Sequence, residues 1–315
     1  MTAGKYNILI TGGAGYLGSI MAPELLAAGH NVTVLDNFMF RQTPFGHVCH
    51  LSNFDIVRGD ARDAATLKPL VADADIIIPL AALVGAPICD RDKIGAESIN
   101  RDAIKTLVGL ISKDQRLLTP ISNSGYGVGE KGKFCTEETP MRPITLYGVT
   151  KVEAEEIALS HANSISFRLA TVFGMAPRMR LDLLVNDFTW RAVADKVVVL
   201  SEAHFKRNYI HVRDVTRAFI HGIGNFEKMC GEAYNVGLSD ANLSKKELCE
   251  VIQKHVPEFV FMESEIMKDP DKRDYIVSNE KIEATGFKPK HSLDDGVEEL
   301  IKGYRQLWKT VYGNV

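Results

Sequence analysis

The sequence predicts an α/β fold: a doubly wound parallel sheet with a smaller, mainly helical C-terminal lobe. Three observations predict it. Residues 5–10, 19–28 and 31–35 read in order as strand, helix and strand, with a glycine-rich turn between the first two and Gly29 closing the helix. Apolar runs at 55–58, 76–80, 117–121 and 166–169 then alternate with helical patterns, as strands buried by helices on both faces do. Around Gly174 the rhythm breaks into a stretch rich in Arg, Met and Asp.

Residues 209–223 and 233–236 read as a return to the sheet, and everything after Gly237 reads as mainly helical. The expected division is therefore a Rossmann-type domain from 1–174 plus 207–237, and a substrate lobe from 175–206 plus 238–315. No internal repeat or low-complexity tract interrupts this order.

Bulk composition narrows the function classes. The chain has 315 residues, 45% apolar and 24% charged, which suits one large globular unit and excludes a fibrous or disordered chain. A net charge of −3 gives no global attraction to nucleic acid or to an anionic membrane. An anionic ligand must then be held by a local cluster of Arg or Lys. The longest apolar stretch, 76–84, contains Pro79 and is far shorter than the roughly 20 residues of a membrane span, and the N-terminus has no signal-peptide core. A soluble cytoplasmic protein is expected. Five scattered cysteines without a Cys-x-x-Cys pair fit reduced thiols, and His47, Cys49 and His50 lack a nearby fourth ligand, so no metal site is expected.

The glycine turn reads Thr11-Gly12-Gly13-Ala14-Gly15-Tyr16-Leu17-Gly18. It leaves a strand and opens a helix, where backbone N–H groups and the helix dipole can hold a pyrophosphate; Gly12, Gly15, Tyr16 and Leu17 are the candidate contacts. Asp36, with Asn37 beside it, ends the second strand. A carboxylate there accepts hydrogen bonds from ribose hydroxyls and repels a 2′-phosphate, so NAD (NADH) is expected rather than NADP. Arg41 lies close enough to soften that preference.

Tyr147-Gly-Val-Thr-Lys151 places a phenol and an ammonium on one helix face at i, i+4. A neighbouring ammonium, together with an oxidised nicotinamide, would favour the phenolate and let Tyr147 act as a general base.

The glycine spacing Gly12-x-x-Gly15-x-x-Gly18, the Tyr147-x-x-x-Lys151 pair and Ser122, four residues before the Tyr126-Gly127 pair, resemble the extended short-chain dehydrogenase/reductase family over nearly the whole chain. The resemblance implies a Ser122, Tyr147, Lys151 triad in which Ser122 orients the substrate hydroxyl and Lys151 also reaches the nicotinamide ribose. It places Asp60, Ala61, Leu80, Ala81, Ala82 and Asn100 along the cofactor, and Asn123, Ser124, Thr171 and Asn186 along the substrate. Arg207 and Arg273 would grip a nucleotide diphosphate, with Arg178 and Arg180 as further candidates. Thr171 departs from the Asn of many relatives, so the substrate pose there is expected to differ. A homodimer through two long helices, one starting at Tyr147, is also implied.

Dehydratases of the family carry acids just after the Ser or Thr, because expelling water needs proton transfer. Asn123 and Ser124 cannot supply it near neutral pH, which disfavours dehydration. The segments 80–87, 122–127, 178–188 and 269–275 further imply a GDP-sugar, a heptose oxidised at C4 for surface-polysaccharide synthesis. A nucleotide-sugar 4-epimerase and a non-catalytic NAD-binding sensor remain open as alternatives.

Overall fold

The computed structural model describes residues 4–264, 266 and 272–307. Seven parallel strands form the main sheet: β1 (Asn7–Thr11), β2 (Asn31–Asp36), β3 (Phe54–Arg58), β4 (Ile76–Pro79), β5 (Arg116–Ser122), then Ser164–Leu169 and Ala233–Val236. From one edge to the other the order is Ala233–Val236, Ser164–Leu169, β5, β4, β1, β2, β3. Ile8, Ile10, Ile76 and Ile78 sit in register across β1 and β4 and are fully buried, as strands covered on both faces require. After β3 the chain crosses back over β2 and β1 to lay down β4. That reversal opens a crevice at the C-terminal ends of β1 and β4, the place where open α/β sheets bind ligands.

Helix α1 (Gly18–Ala27) follows β1 directly, and Gly29 ends it in the left-handed region at φ +93°. The 209–223 reading needs correction. Lys206–His211 is a strand of a separate three-stranded sheet, parallel to Thr171–Phe173 and antiparallel to Asn242–Ser244. The helix Val212–Gly224 follows it, and Val212, Val215, Phe219 and Ile223 recur on its buried face at helical, not strand, spacing. Only Ala233–Val236 rejoins the main sheet, as its edge strand.

Beyond Gly237 the chain forms the helices Lys245–His255 and Leu293–Tyr304, each started by a capping box, at Ser244/Glu247 and Ser292/Asp295. Leu293–Tyr304 lies against Leu184–Ala194, with the Trp190 and Tyr304 rings edge-on at 5.1 Å. One buried apolar cluster runs from Ile8 and Ile78 through Phe173 and Tyr209 to Leu248 and Leu300. The segments expected to form two lobes thus share a core. Among the described residues no helix is long and apolar enough to cross a membrane.

Candidate active site

A cleft occupies the crevice at the C-terminal ends of β1, β2 and β4 and encloses roughly 1630 Å³ of space open to solvent. The glycine turn forms its floor. Gly12 has φ +67°, and a Cβ there would stand 2.4 Å from the Ala81 backbone, so the turn and the loop after β4 can meet only at a glycine. Helix α1 begins at this turn with no side-chain cap and no acidic residue in its first turn. Its N-terminal dipole is left for an anion. Gly15, Tyr16 and Leu17 line the cleft beside it, which fits a dinucleotide diphosphate.

Asp36 and Asn37 line one end. The Asp36 carboxylate accepts the backbone N–H of Ala14 at 2.9 Å and of Phe38 at 2.7 Å. Burial pushes its pKa up, and those two bonds and the Arg178 charge pull against it. Asp60 and Ala61 form the neighbouring wall, with Asp60 held below the usual carboxylate range by its hydrogen bonds from Arg62. Leu80, Ala81 and Ala82 line the middle.

Ser122, Tyr147 and Lys151 line the other end. Ser122 arrives as the last residue of β5. The helix Leu146–Leu159, capped by Thr145 accepting the Gly148 N–H, carries Tyr147 and Lys151 on its buried face. Tyr147 lies beside Ser122 at this wall. In the protein alone the phenol is not lowered as expected: burial pushes it up, and the Ser122 side chain and the charges of Arg180 and Arg273 only partly offset this. Burial also pulls Lys151 down to about 8, while the Glu155 carboxylate one turn further along acts in the opposite sense. Lys151 therefore stays mostly charged at neutral pH.

Behind Lys151 lies a network that the sequence did not disclose. Glu155 pairs with Arg168 of the next strand, at 2.8 Å from Nη2 and 3.0 Å from Nε, and both side chains are nearly fully buried. Arg168 also donates to the Tyr126 hydroxyl and the Glu137 carbonyl, so the buried charges are well supplied with hydrogen bonds.

The expected arginines take different positions along the cleft. Arg180 and Arg273 line it near Tyr147, where their charges act on the phenol. Arg180 pairs with Asp182 and donates to the Val84 carbonyl. Arg178 lines the cleft between these two arginines and Asp36, feeling the charges of Arg180, Asp182 and Asp36. Arg207 is not on the wall. It is buried behind Tyr275, its guanidinium 5.5 Å from that ring, and Tyr275 lines the cleft in its place.

Four other expected contacts lie beneath the surface. Asn100 accepts the Leu83 N–H and donates to the Leu83 carbonyl and the Thr150 hydroxyl, so it holds the loop after β4 in place. Asn186 accepts the Gly174 N–H and donates to the Arg180 carbonyl and the Tyr16 hydroxyl, bracing the glycine turn against the segment that carries the arginines. Asn123 and Ser124 turn inward in the short helix Asn123–Tyr126 and are 1% exposed. Thr171 does line the cleft. Apart from Arg41, sequence reasoning missed the loop Phe38–Gln42, also on the wall; an apolar run just after Asp36 was its only signal.

Residues 8–237 match the NAD dependent epimerase/dehydratase family. The chain belongs to this family. It is an enzyme family that uses NAD, which accords with the glycine turn and Asp36. The low-salt glycan biosynthesis protein Agl12 of Haloferax volcanii is 31% identical to this chain over 317 residues, covering 95% of it and 98% of the relative. A UDP-N-acetyl-alpha-D-glucosaminuronate decarboxylase of Bacillus cytotoxicus is 26% identical over 96% of this chain and 99% of its own length. Among solved structures, the UDP-glucuronic acid 4-epimerase of Bacillus cereus, with UDP-glucuronic acid and NAD, superposes with a TM-score of 0.84. It is 22% identical, over 96% of this chain and all of that one, and the match confirms the fold.

Asp36 yields a test of cofactor choice. In Asp36→Ala, NAD affinity should fall more than NADP affinity, because the ribose acceptor and the repulsion of a 2′-phosphate vanish together. Titration of both cofactors into the variant checks this; an unchanged NAD to NADP ratio would remove Asp36 from the ribose.

Proposed function

We propose that the protein uses NAD to oxidise the C4 hydroxyl of a nucleotide-diphosphate sugar to a 4-keto sugar. The observation that carries this reading is the gathering of Ser122, Tyr147 and Lys151 on one wall of the cleft, near Arg180 and Arg273. Ser122 holds the substrate hydroxyl, Tyr147 takes its proton, and the Lys151 charge stabilises the phenolate. NAD, held by the glycine turn and Asp36, would supply the acceptor for the hydride leaving the same carbon. Arg180 and Arg273 offer planar cations for the substrate diphosphate. Among the described lining residues the carboxylates are Asp36 and Asp60, both at the adenosine end, and neutral Asn123 and Ser124 follow Ser122. This supports oxidation without elimination of water.

For the substrate we propose a GDP-linked heptose. Residues 80–87, 122–127, 178–188 and 269–275 resemble those of GDP-D-glycero-α-D-manno-heptose 4-dehydrogenase, though 269–271 lie outside the described residues. The likeness to a glycan-biosynthesis protein supports a place in polysaccharide synthesis. A second reading, a 4-epimerase, uses the same triad and has support from UDP-glucuronate 4-epimerase 3 of Arabidopsis thaliana, 24% identical over 95% of this chain. Product analysis with GDP- and UDP-sugars separates them. Net oxidation yields a 4-keto nucleotide and one equivalent of NADH; epimerisation yields the C4 epimer without NADH. No conversion of any sugar by the NAD-bound protein would leave a binding protein instead.

We also propose a homodimer through the helix that starts at Leu146. Sedimentation at micromolar concentration should give a species of twice the chain mass, and a monomer would contradict it.

A further inference from the structure

Arg178 is 2% exposed yet lines the cleft, and its surroundings belong to the cofactor half of the molecule. Its backbone N–H donates to Ser19 Oγ, in the first turn of α1, at 3.3 Å. Its guanidinium lies 4.2 Å from the centre of the Phe40 ring, in the loop that follows Asp36. Its charge acts on Asp36, whereas Arg180 and Arg273 act on Tyr147. Arg178 also feels the charges of Arg180 and Asp182, so the Arg178-Met179-Arg180 segment runs along the cleft, with Arg178 on the Asp36 side and Arg180 on the Tyr147 side.

The loop contacted by Arg178 is itself under strain. Phe38 and Arg41, neither of them glycine, both have φ +55°, in the left-handed region that side chains avoid. Such a conformation persists where neighbouring contacts over-determine it. Here those contacts are the Phe38 N–H on Asp36, the Arg41 N–H on the Phe38 carbonyl, and Phe40 against Arg178. The loop comes from the connection between β2 and β3 and Arg178 from the segment after Gly174, so their contact bridges the Asp36 side of the cleft.

We propose that Arg178 and Phe40 form a clasp over NAD: Arg178 binds the cofactor diphosphate beside the first turn of α1, and its stacking on Phe40 holds the 38–42 loop over the cofactor. Two chemical facts favour the diphosphate. A guanidinium can donate to two phosphate oxygens while its face stays on an aromatic ring. A cation this buried, with Arg180 nearby, gains most from a ligand that brings two negative charges to the α1 N-terminus. Phe40 acts through Arg178 and is a positioning residue. The proposal rests on NAD occupying the glycine-turn cleft and not on chemistry at C4.

The test is the dissociation rate of NADH from the full-length protein, followed by NADH fluorescence during a chase with excess NAD, with GDP affinity measured in parallel. Arg178→Met should speed release at least ten-fold and leave GDP affinity within two-fold. Phe40→Leu, at a half-buried position that leaves folding undisturbed, should speed release several-fold. The double variant should release no faster than Arg178→Met alone, because the two residues act as one clasp. Release at the wild-type rate in both single variants would overturn the proposal. So would a loss of GDP affinity with NADH release unchanged, which would return Arg178 to the substrate, or a selective loss of NADPH binding, which would place it on a 2′-phosphate.

Discussion

Replacing Tyr147 by Phe is expected to slow oxidation of the sugar by about 10²–10⁴-fold while NAD and nucleotide affinities stay as they are. The change removes one oxygen and keeps the ring, and binding rests on the glycine turn and the arginines. The lost hydroxyl sits on a buried side chain beside Ser122, so stability should change by about 1 kcal/mol at most. Single-turnover formation of NADH, followed by absorbance, isolates the step from slow product release. The wild-type rate should also rise with pH, since burial raises the phenol and the base must be ionised. In Tyr147→Phe that rise should vanish. Transfer at the wild-type rate in the variant would show that the proton goes elsewhere.

Arg168→Leu should cost about 3–5 kcal/mol of stability, because it leaves the Glu155 carboxylate buried without its partner. The urea midpoint should drop at constant slope. Replacing both Glu155 and Arg168 by apolar residues should recover much of the loss, since the desolvation of two charges disappears with them. A single variant as stable as the wild type would mean that water reaches this pair.

The sheet, the glycine turn and the triad were legible in the sequence because each is local. Gly12, Gly15 and Asp36 are tied to β1 and β2 by a few residues of chain, and Tyr147 and Lys151 share a helix face through spacing alone. The side chains whose meaning depends on distant partners were not. Asn186 carries an amide suited to a ligand, but the carbonyl of Arg180, the N–H of Gly174 and the hydroxyl of Tyr16 claim it first. Asn100 is spent in the same way on Leu83 and Thr150. Arg178 and Arg180 look alike in sequence, and only the fold shows one beside Asp36 and the other near Tyr147. The 209–223 stretch misled because Tyr209, Ile210 and Val212 continue an apolar strand into a helix with no turn residue between them.

The central claim is removal of hydrogen from C4 of a nucleotide sugar by the Tyr147 site, and isotope transfer tests it most directly. GDP-D-glycero-α-D-manno-heptose carrying deuterium at C4 would be given to the NAD-loaded protein, and the cofactor analysed by mass spectrometry. The account predicts deuterium in the NADH formed by the wild type and its near absence in Tyr147→Phe over the same interval. Consumption of the labelled sugar with the deuterium still on carbon, or no consumption while NAD remains bound, would contradict it.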